Sequence, residues 1–376
     1  MSSAIPAATH LFSPLTQRGI TLPNRIAVSP MCQYSSEDGF ASDWHLVHLG
    51  SRAIGGAGMV MTEAAAISSE GRISPQDLGI WKDEHIEPLA RITRFIRAQA
   101  SVPAIQLAHA GRKASMAPAW EKPRNIPPSE GGWENVVGPS AEPYSATYAK
   151  PHQMDRAAMD KVLADMTAAT KRAAAAGFQL AEIHAAHGYL AHEFVSPLSN
   201  HRTDEYGGSL ANRTRFPLEI VRASRAAWPE DLPLWVRISA TDWVDGGLTL
   251  DDTVEFARML KAEGVDMIDV SSGGNDTRQQ IPIGPGYQVA FAERIRREAG
   301  IATAAVGMIT EPAQADQILR SGQADVVLLA REMLREPYWP LRAAFELKHP
   351  ASWLKQYERA APGPVERRKT TEGSTA

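Results

Sequence analysis

The chain is predicted to be an α/β protein, a single-domain (β/α)8 TIM barrel with a long lid loop after the third strand. Short β-branched or apolar runs alternate with longer helical patterns eight times along the chain. Glycines stand where several helices hand over to strands, and the 376 residues suit one large barrel as well as two average domains. A doubly wound sheet is the alternative. Its phosphate loop must follow a strand and open a helix, whereas Gly55, Gly56 and Gly58 follow a helix and precede a strand, as a connector would.

In chain order the expected strands are Arg25–Ser29, Met59–Glu63, Ala104–Ala108, Gln179–His184, Leu234–Ile238, Met267–Ser271, Ala302–Val306 and Asp325–Leu329. Each is short and apolar, as strands covered on both faces require. Helices are expected over Glu84–Gln99, Arg156–Ala176, Thr253–Glu263 and Pro312–Ser321, where apolar residues recur three and four apart. Gly177, Gly264 and Gly322 follow three of these helices, where a left-handed C-terminal residue is needed. One connection is long: His109 to Pro151 is rich in Pro, Gly and Ser and carries Trp120, Trp133, Tyr144 and Tyr148, the marks of a functional lid. The barrel is expected to span residues 10–360, with 361–376 reading as a disordered tail.

Composition narrows the function classes. Hydrophobic residues at 44% and charged residues at 22% describe a chain that buries a substantial core. A net charge of −4 argues against a polyanion-binding surface, so a small ligand is expected and neither nucleic acid nor membrane is. The single cysteine, Cys32, excludes an intrachain disulfide, a four-cysteine zinc site and a thiolate-held iron–sulfur cluster. A reducing cytoplasm fits that count, and no apolar run approaches the ~20 residues that span a bilayer.

In a barrel the chemistry lies at the C-terminal ends of the strands, which are polar here. The first strand runs into Pro30-Met31-Cys32-Gln33-Tyr34, the third ends in Gln106 to Lys113, and the fourth enters His184-Ala185-Ala186-His187-Gly188-Tyr189. Arg237 is the sole charge of the fifth strand, and a buried guanidinium needs an anionic partner. Gln106 offers both a donor and an acceptor, whereas Cys32 by itself reads as a small core residue. His184 and His187 could be metal ligands, with Glu182, His192 and Glu193 nearby, but they stand three apart rather than in the His-Glu-x-x-His pattern of zinc helices.

Ser29-Pro30-Met31-Cys32, the Gln106–Lys113 run, His184 to Tyr189, Ser196 to Arg202 through Tyr206-Gly207-Gly208, and Gln356-Tyr357-Glu358-Arg359 closely resemble the Old Yellow Enzyme family, in the branch of bacterial NADPH dehydrogenases and xenobiotic reductases. The resemblance covers roughly His10 to Ala360 and implies non-covalent FMN, with NADPH as hydride donor. Its phosphate would sit by Gly307 and Ala330-Arg331, where backbone N–H groups and a guanidinium can hold an oxyanion. The family usually has Gly where this chain has Ala330. Arg237 and Gln106 would meet the pyrimidine edge of the ring, with Ser29, Pro30, Met31, Cys32 and Ala64 lining it and Cys32 tuning its potential.

The resemblance further implies that His184 and His187 clamp a substrate carbonyl oxygen, that Tyr189 protonates the neighbouring carbon, and that Tyr34 and Lys113 contact substrate. The implied activity is ping-pong reduction of the activated C=C bond of an α,β-unsaturated carbonyl, with nitro compounds or quinones as further acceptors and no metal. The implied assembly is a homodimer or homotetramer in which Arg359 reaches a neighbouring subunit's site. A metal-dependent barrel hydrolase built on His184 and His187, and a flavin-binding module without turnover, are the rival readings.

Overall fold

A computed structural model describes residues 9–362 of the chain. Eight parallel strands close into a barrel: β1 (Ile26–Val28), β2 (Met59–Ala66), β3 (Val102–Ala108), β4 (Leu180–Ala185), β5 (Leu234–Ser239), β6 (Met267–Ser271), β7 (Ala302–Ala305) and β8 (Val326–Leu329). Each pairs with its neighbours in chain order, and β8 pairs back onto β1. All eight predicted strands are present, with ends moved by a few residues. The tail expected at 361–376 falls, from residue 363 onward, outside the described residues.

The strands alternate strictly. Ala181, Ile183, Val236, Ile238, Ile268 and Val270 face the surrounding helices and join one large core with the apolar faces of α1 (Asp43–Ile54), α2 (Ile86–Ala98), α3 (Arg156–Ala175) and α4 (Arg215–Ala227). α5 (Leu250–Ala262), α6 (Val289–Ala299), α7 (Pro312–Arg320) and α8 (Trp339–Glu346) complete the outer ring. Gly177, Gly264 and Gly322 take φ of 82°, 86° and 72° after α3, α5 and α7, a conformation that strains any residue with a Cβ.

The opposite, inward positions form a second core, in which Met59, Val102, Leu180, Trp235 and Met267 fill the barrel at its N-terminal end. A hairpin that the sequence reading did not anticipate, Leu15–Gln17 against Ile20–Leu22, lays Ile20 and Leu22 on that layer and seals the floor. Gln17 Oε1 accepts the indole N–H of fully buried Trp235 at 2.8 Å. Burying a side chain of this size contributes roughly 3 kcal/mol, and the hydrogen bond satisfies its one polar atom.

The long connection after β3 is folded. Val137–Gly138 pairs with His152–Gln153, and one-turn 3-10 helices form at Gly111–Lys113 and Pro128–Glu130. Among the described residues no helix is long and apolar enough to cross a membrane.

Candidate active site

Going up the barrel, the inward positions change from apolar to charged to hydrogen-bonding. β4 presents Leu180, Glu182 and His184; β5 presents Trp235, Arg237 and Ser239; β6 presents Met267, Asp269 and Ser271. Register places Gln106 beside Glu182, and Arg237 between His184 and Asp269. Gln106 Nε2 donates to Glu182 Oε1 at 2.8 Å, Arg237 Nη1 donates to Ser29 Oγ at 3.1 Å, and Arg237 Nε lies 3.4 Å from Asp269 Oδ2. Asp269 is thus the protein's own anion beside the guanidinium that the sequence showed to need one. A bulge in β2 between Met61 and Ala64 brings Ala64 into register with Gln106, on the wall where the ring was expected.

Above this layer, His184, His187 and Tyr189 converge. The His184 ring stands edge-on to His187 at 5.2 Å and to Tyr189 at 4.9 Å between centroids. The turn that delivers them is strained: His187 and Gly188 have φ of 60° and 72°. It is held by Ser239 Oγ on the His187 N–H at 2.9 Å, and by His192 Nδ1 on the Gly188 N–H at 2.9 Å. His192 lies in turn 3.1 Å from buried Asp242.

His187 Nε2 meets Ser271 Oγ at 2.7 Å, and His184 Nδ1 accepts the Ala186 N–H at 3.3 Å. Burial, then the positive charge of Arg237, holds both imidazoles well below their ordinary pKa, so both are neutral. Burial pushes the Tyr189 phenol well up, so it keeps its proton. Burial also raises the Cys32 thiol.

Two cavities flank this cluster. One, of about 270 Å³, is bordered by Arg237, Gly307, Ala330, Arg331, Glu332 and Arg335; Arg335 pairs with Glu332 and Arg237 lies beside Asp269, which leaves the Arg331 guanidinium to meet an anion. Ala330 adopts φ −98° and ψ −97° just ahead of the short helix Arg331–Arg335. The other, of about 290 Å³, lies under the lid between Tyr34, Ile73, Met116, Tyr148 and Tyr189. Tyr34 has φ 47° and packs edge-on to Trp120 at 5.5 Å.

Lys113 borders that second cavity, but its ammonium donates to the carbonyls of His187, at 2.8 Å, and of Gly274, and lies 4.0 Å from the Tyr144 ring centroid. It ties the lid to the barrel, and burial lowers its pKa to about 7. The Ser196–Arg202 run is likewise structural. Asn200 Nδ2 donates to Phe194 O and Tyr206 O, and Arg202 Nη1 donates to Met154 O at 2.6 Å, clasping the end of the lid. Arg359 is exposed on the turn Glu358–Ala360 and borders neither cavity.

The potential third metal ligands are engaged elsewhere: Glu182 with Gln106, His192 with Gly188 and Asp242, Glu193 with the Arg112 N–H at 2.8 Å. Among the described residues no three His, Cys, Asp or Glu side chains are grouped to hold a metal ion. Several site residues had gone unnoticed in the sequence. Asp269 completes the barrel's ionic layer, Glu63 accepts the Gln33 N–H at 2.9 Å and so anchors the loop after β1, and Asp77 borders a small space with His184 and Tyr189.

The profile of the NADH:flavin oxidoreductase / NADH oxidase family matches residues 10–349. The chain belongs to this family. An NADPH dehydrogenase of Geobacillus sp. (strain WCH70) is 49% identical over 353 residues, covering 93% of this chain and 98% of that one. Morphinone reductase in complex with tetrahydroNAD superposes with a TM-score of 0.76 at 24% identity, over 95% of each chain, and shares the fold. A 2-naphthoyl-CoA reductase complex superposes at a TM-score of 0.80 and 24% identity, covering 91% of this chain but 52% of that one, so this chain spans about half its length. The chain is therefore a flavin oxidoreductase of the Old Yellow Enzyme type, an NADPH dehydrogenase by class.

Proposed function

We propose that the protein binds FMN without a covalent bond, oxidises NADPH, and reduces the activated C=C bond of α,β-unsaturated carbonyl compounds, with nitro compounds and quinones as further acceptors. The observation that carries this reading is the convergence of His184, His187 and Tyr189 beside a cavity lined by Arg237 and Arg331. Arg331 and the backbone from Gly307 would hold the phosphate. Gln106, Arg237 and Ala64, with the loop Ser29-Pro30-Met31-Cys32, would border the ring. The Arg331 guanidinium and the bulge at Ala64 fit that group. A flavin held there would supply hydride transfer from NADPH to the acceptor's β-carbon.

The chain's own residues supply the rest. Ser271 Oγ, 2.7 Å from His187 Nε2, can donate to it, and in that tautomer the Nδ1–H of His187 is left as a donor. The Ala186 N–H on Nδ1 of His184 leaves its Nε2–H as a donor. Two neutral donors then meet negative charge as it develops on the carbonyl oxygen. Tyr189 delivers its proton to the carbon next to that carbonyl. NADPH and the acceptor use the same place in turn, so the kinetics are ping-pong.

We extend the proposal to assembly as a homodimer or homotetramer, with exposed Arg359 reaching a neighbouring subunit's mouth. The purified protein should be yellow and release FMN on acid or heat treatment. An anaerobic acceptor panel followed by NADPH oxidation should find activated alkenes turned over. A colourless protein that fails to take up FMN would sink the reading.

A further inference from the structure

Glu182 on β4 and Asp269 on β6 point into the closed middle of the barrel from either side of the strand that carries Arg237, each with no exposed surface. Glu182 Oε2 and both carboxylate oxygens of Asp269 lack a donor, and Arg237 Nε, 3.4 Å from Asp269 Oδ2, lacks an acceptor in good line. Two ionised carboxylates cannot share so small a space with one guanidinium, because each unpaired buried charge costs several kcal/mol. One proton between the two acids removes the conflict. It gives Glu182 a donor to offer, gives Asp269 an acceptor role, and leaves the layer of Glu182, Asp269 and Arg237 with no net charge. Burial raises both acids; the charge of Asp269 raises Glu182 further, whereas Arg237 and the hydrogen bond from Glu182 favour the ionised form of Asp269.

We propose that Glu182 and Asp269 share one proton and act as positioning residues beneath the flavin ring, Glu182 as the neutral acid that sets Gln106 and Asp269 as the carboxylate that compensates Arg237. The remaining oxygen of neutral Glu182 accepts the Gln106 amide N–H at 2.8 Å, which leaves the Gln106 carbonyl oxygen free of the acid pair. Gln106 therefore keeps an acceptor to offer, suited to an imide N–H. Arg237, balanced by Asp269, keeps one stabilised charge for the ring's electron-rich edge. The ring contact rests on the FMN reading above; the shared proton does not.

The infrared difference spectrum of wild type minus Glu182→Gln should show the carbonyl stretch of a neutral carboxylic acid in the wild type, with or without flavin. Loss of carboxylate bands instead would overturn the shared proton. Glu182→Gln, which keeps both the donor and the acceptor, should retain wild-type FMN affinity and midpoint potential. Glu182→Ala should weaken FMN binding by about tenfold or more and shift the potential, because it frees the Gln106 amide. Asp269→Asn should shift the potential, because the negative charge beside Arg237 is then lost or passes to Glu182. Unchanged potentials in both Glu182→Ala and Asp269→Asn would overturn the positioning role. A wild type that binds no FMN would refute the functional reading, while the infrared spectrum would still decide the proton.

Discussion

Tyr189 holds its proton because burial disfavours the phenolate, and it borders the lid cavity where an acceptor would enter. Reduction of the flavin by NADPH needs no proton at an acceptor carbon, whereas alkene reduction does. Tyr189→Phe should therefore slow enone reduction by about 10²- to 10⁴-fold and leave flavin bleaching by NADPH nearly unchanged, both read by stopped-flow absorbance. Equal loss in both would make Tyr189 a positioning group. Cys32 lies in the loop proposed to border the ring and burial keeps its thiol protonated, so Cys32→Ala should stay yellow and active with a shifted midpoint potential, measured by dye-coupled titration.

Most of this residue-level site was legible because the strand ends are polar and ordered as the resemblance requires. Glu182 and Asp269 lie one layer below the strand ends where barrel chemistry is expected. The two-residue alternation Leu180, Glu182, His184 and Met267, Asp269, Ser271 already put both on the inner wall. Glu63 and Asp77 carried no such signal. Their partners, Gln33 and the Ile73 N–H, are set by loop geometry rather than by period.

The eight strands could be read from sequence because both faces of each are buried, so each is a short, mainly apolar run, and they recur in alternation with helical patterns. The floor hairpin could not, since its three-residue strands stand outside that alternation, and the two-residue pairing inside the lid carries even less pattern. At this scale the lid's anchor is Glu193, which accepts the Arg112 N–H at 2.8 Å where the lid leaves the barrel. Burial pushes its carboxyl from 4.5 up to about 8, so at neutral pH it is protonated when folded and ionised when unfolded. The stability linked to this group is complete below about 4.5, is lost as pH rises toward about 8, and stays level above that. The span is on the order of a few kcal/mol. Glu193→Gln has no such titration, so its melting temperature should gain on the wild type between pH 5 and 8, followed by thermal unfolding across a pH series. A difference between the two that did not vary with pH would refute the assignment.

At the scale of the molecule, the barrel has a sealed floor and one working mouth, covered in part by a lid tied down through Lys113, Arg112 and Arg202. Arg359 stands outside this arrangement, exposed on the turn Glu358–Ala360. A chain ending before Gln356 should fold, keep its flavin and lose either association, seen by sedimentation, or affinity for the acceptor, seen as a raised KM. Full activity with unchanged association would remove Arg359 from the site.

Closure of the wall brings together residues from opposite ends of the chain: β8 pairs with β1, and Arg25 donates to Asp325 O across 300 positions. During synthesis, therefore, Ile26–Val28 waits as an open edge until nearly the whole protein has left the ribosome. An exposed strand edge invites pairing with other chains. The nascent protein is most vulnerable in its last stage of translation, when seven strands are made and the ring is still broken. Expression should accordingly depend on chaperones and on slow synthesis far more than the finished molecule's stability would suggest, and fragments stopping just short of Val326 should aggregate where the complete chain does not.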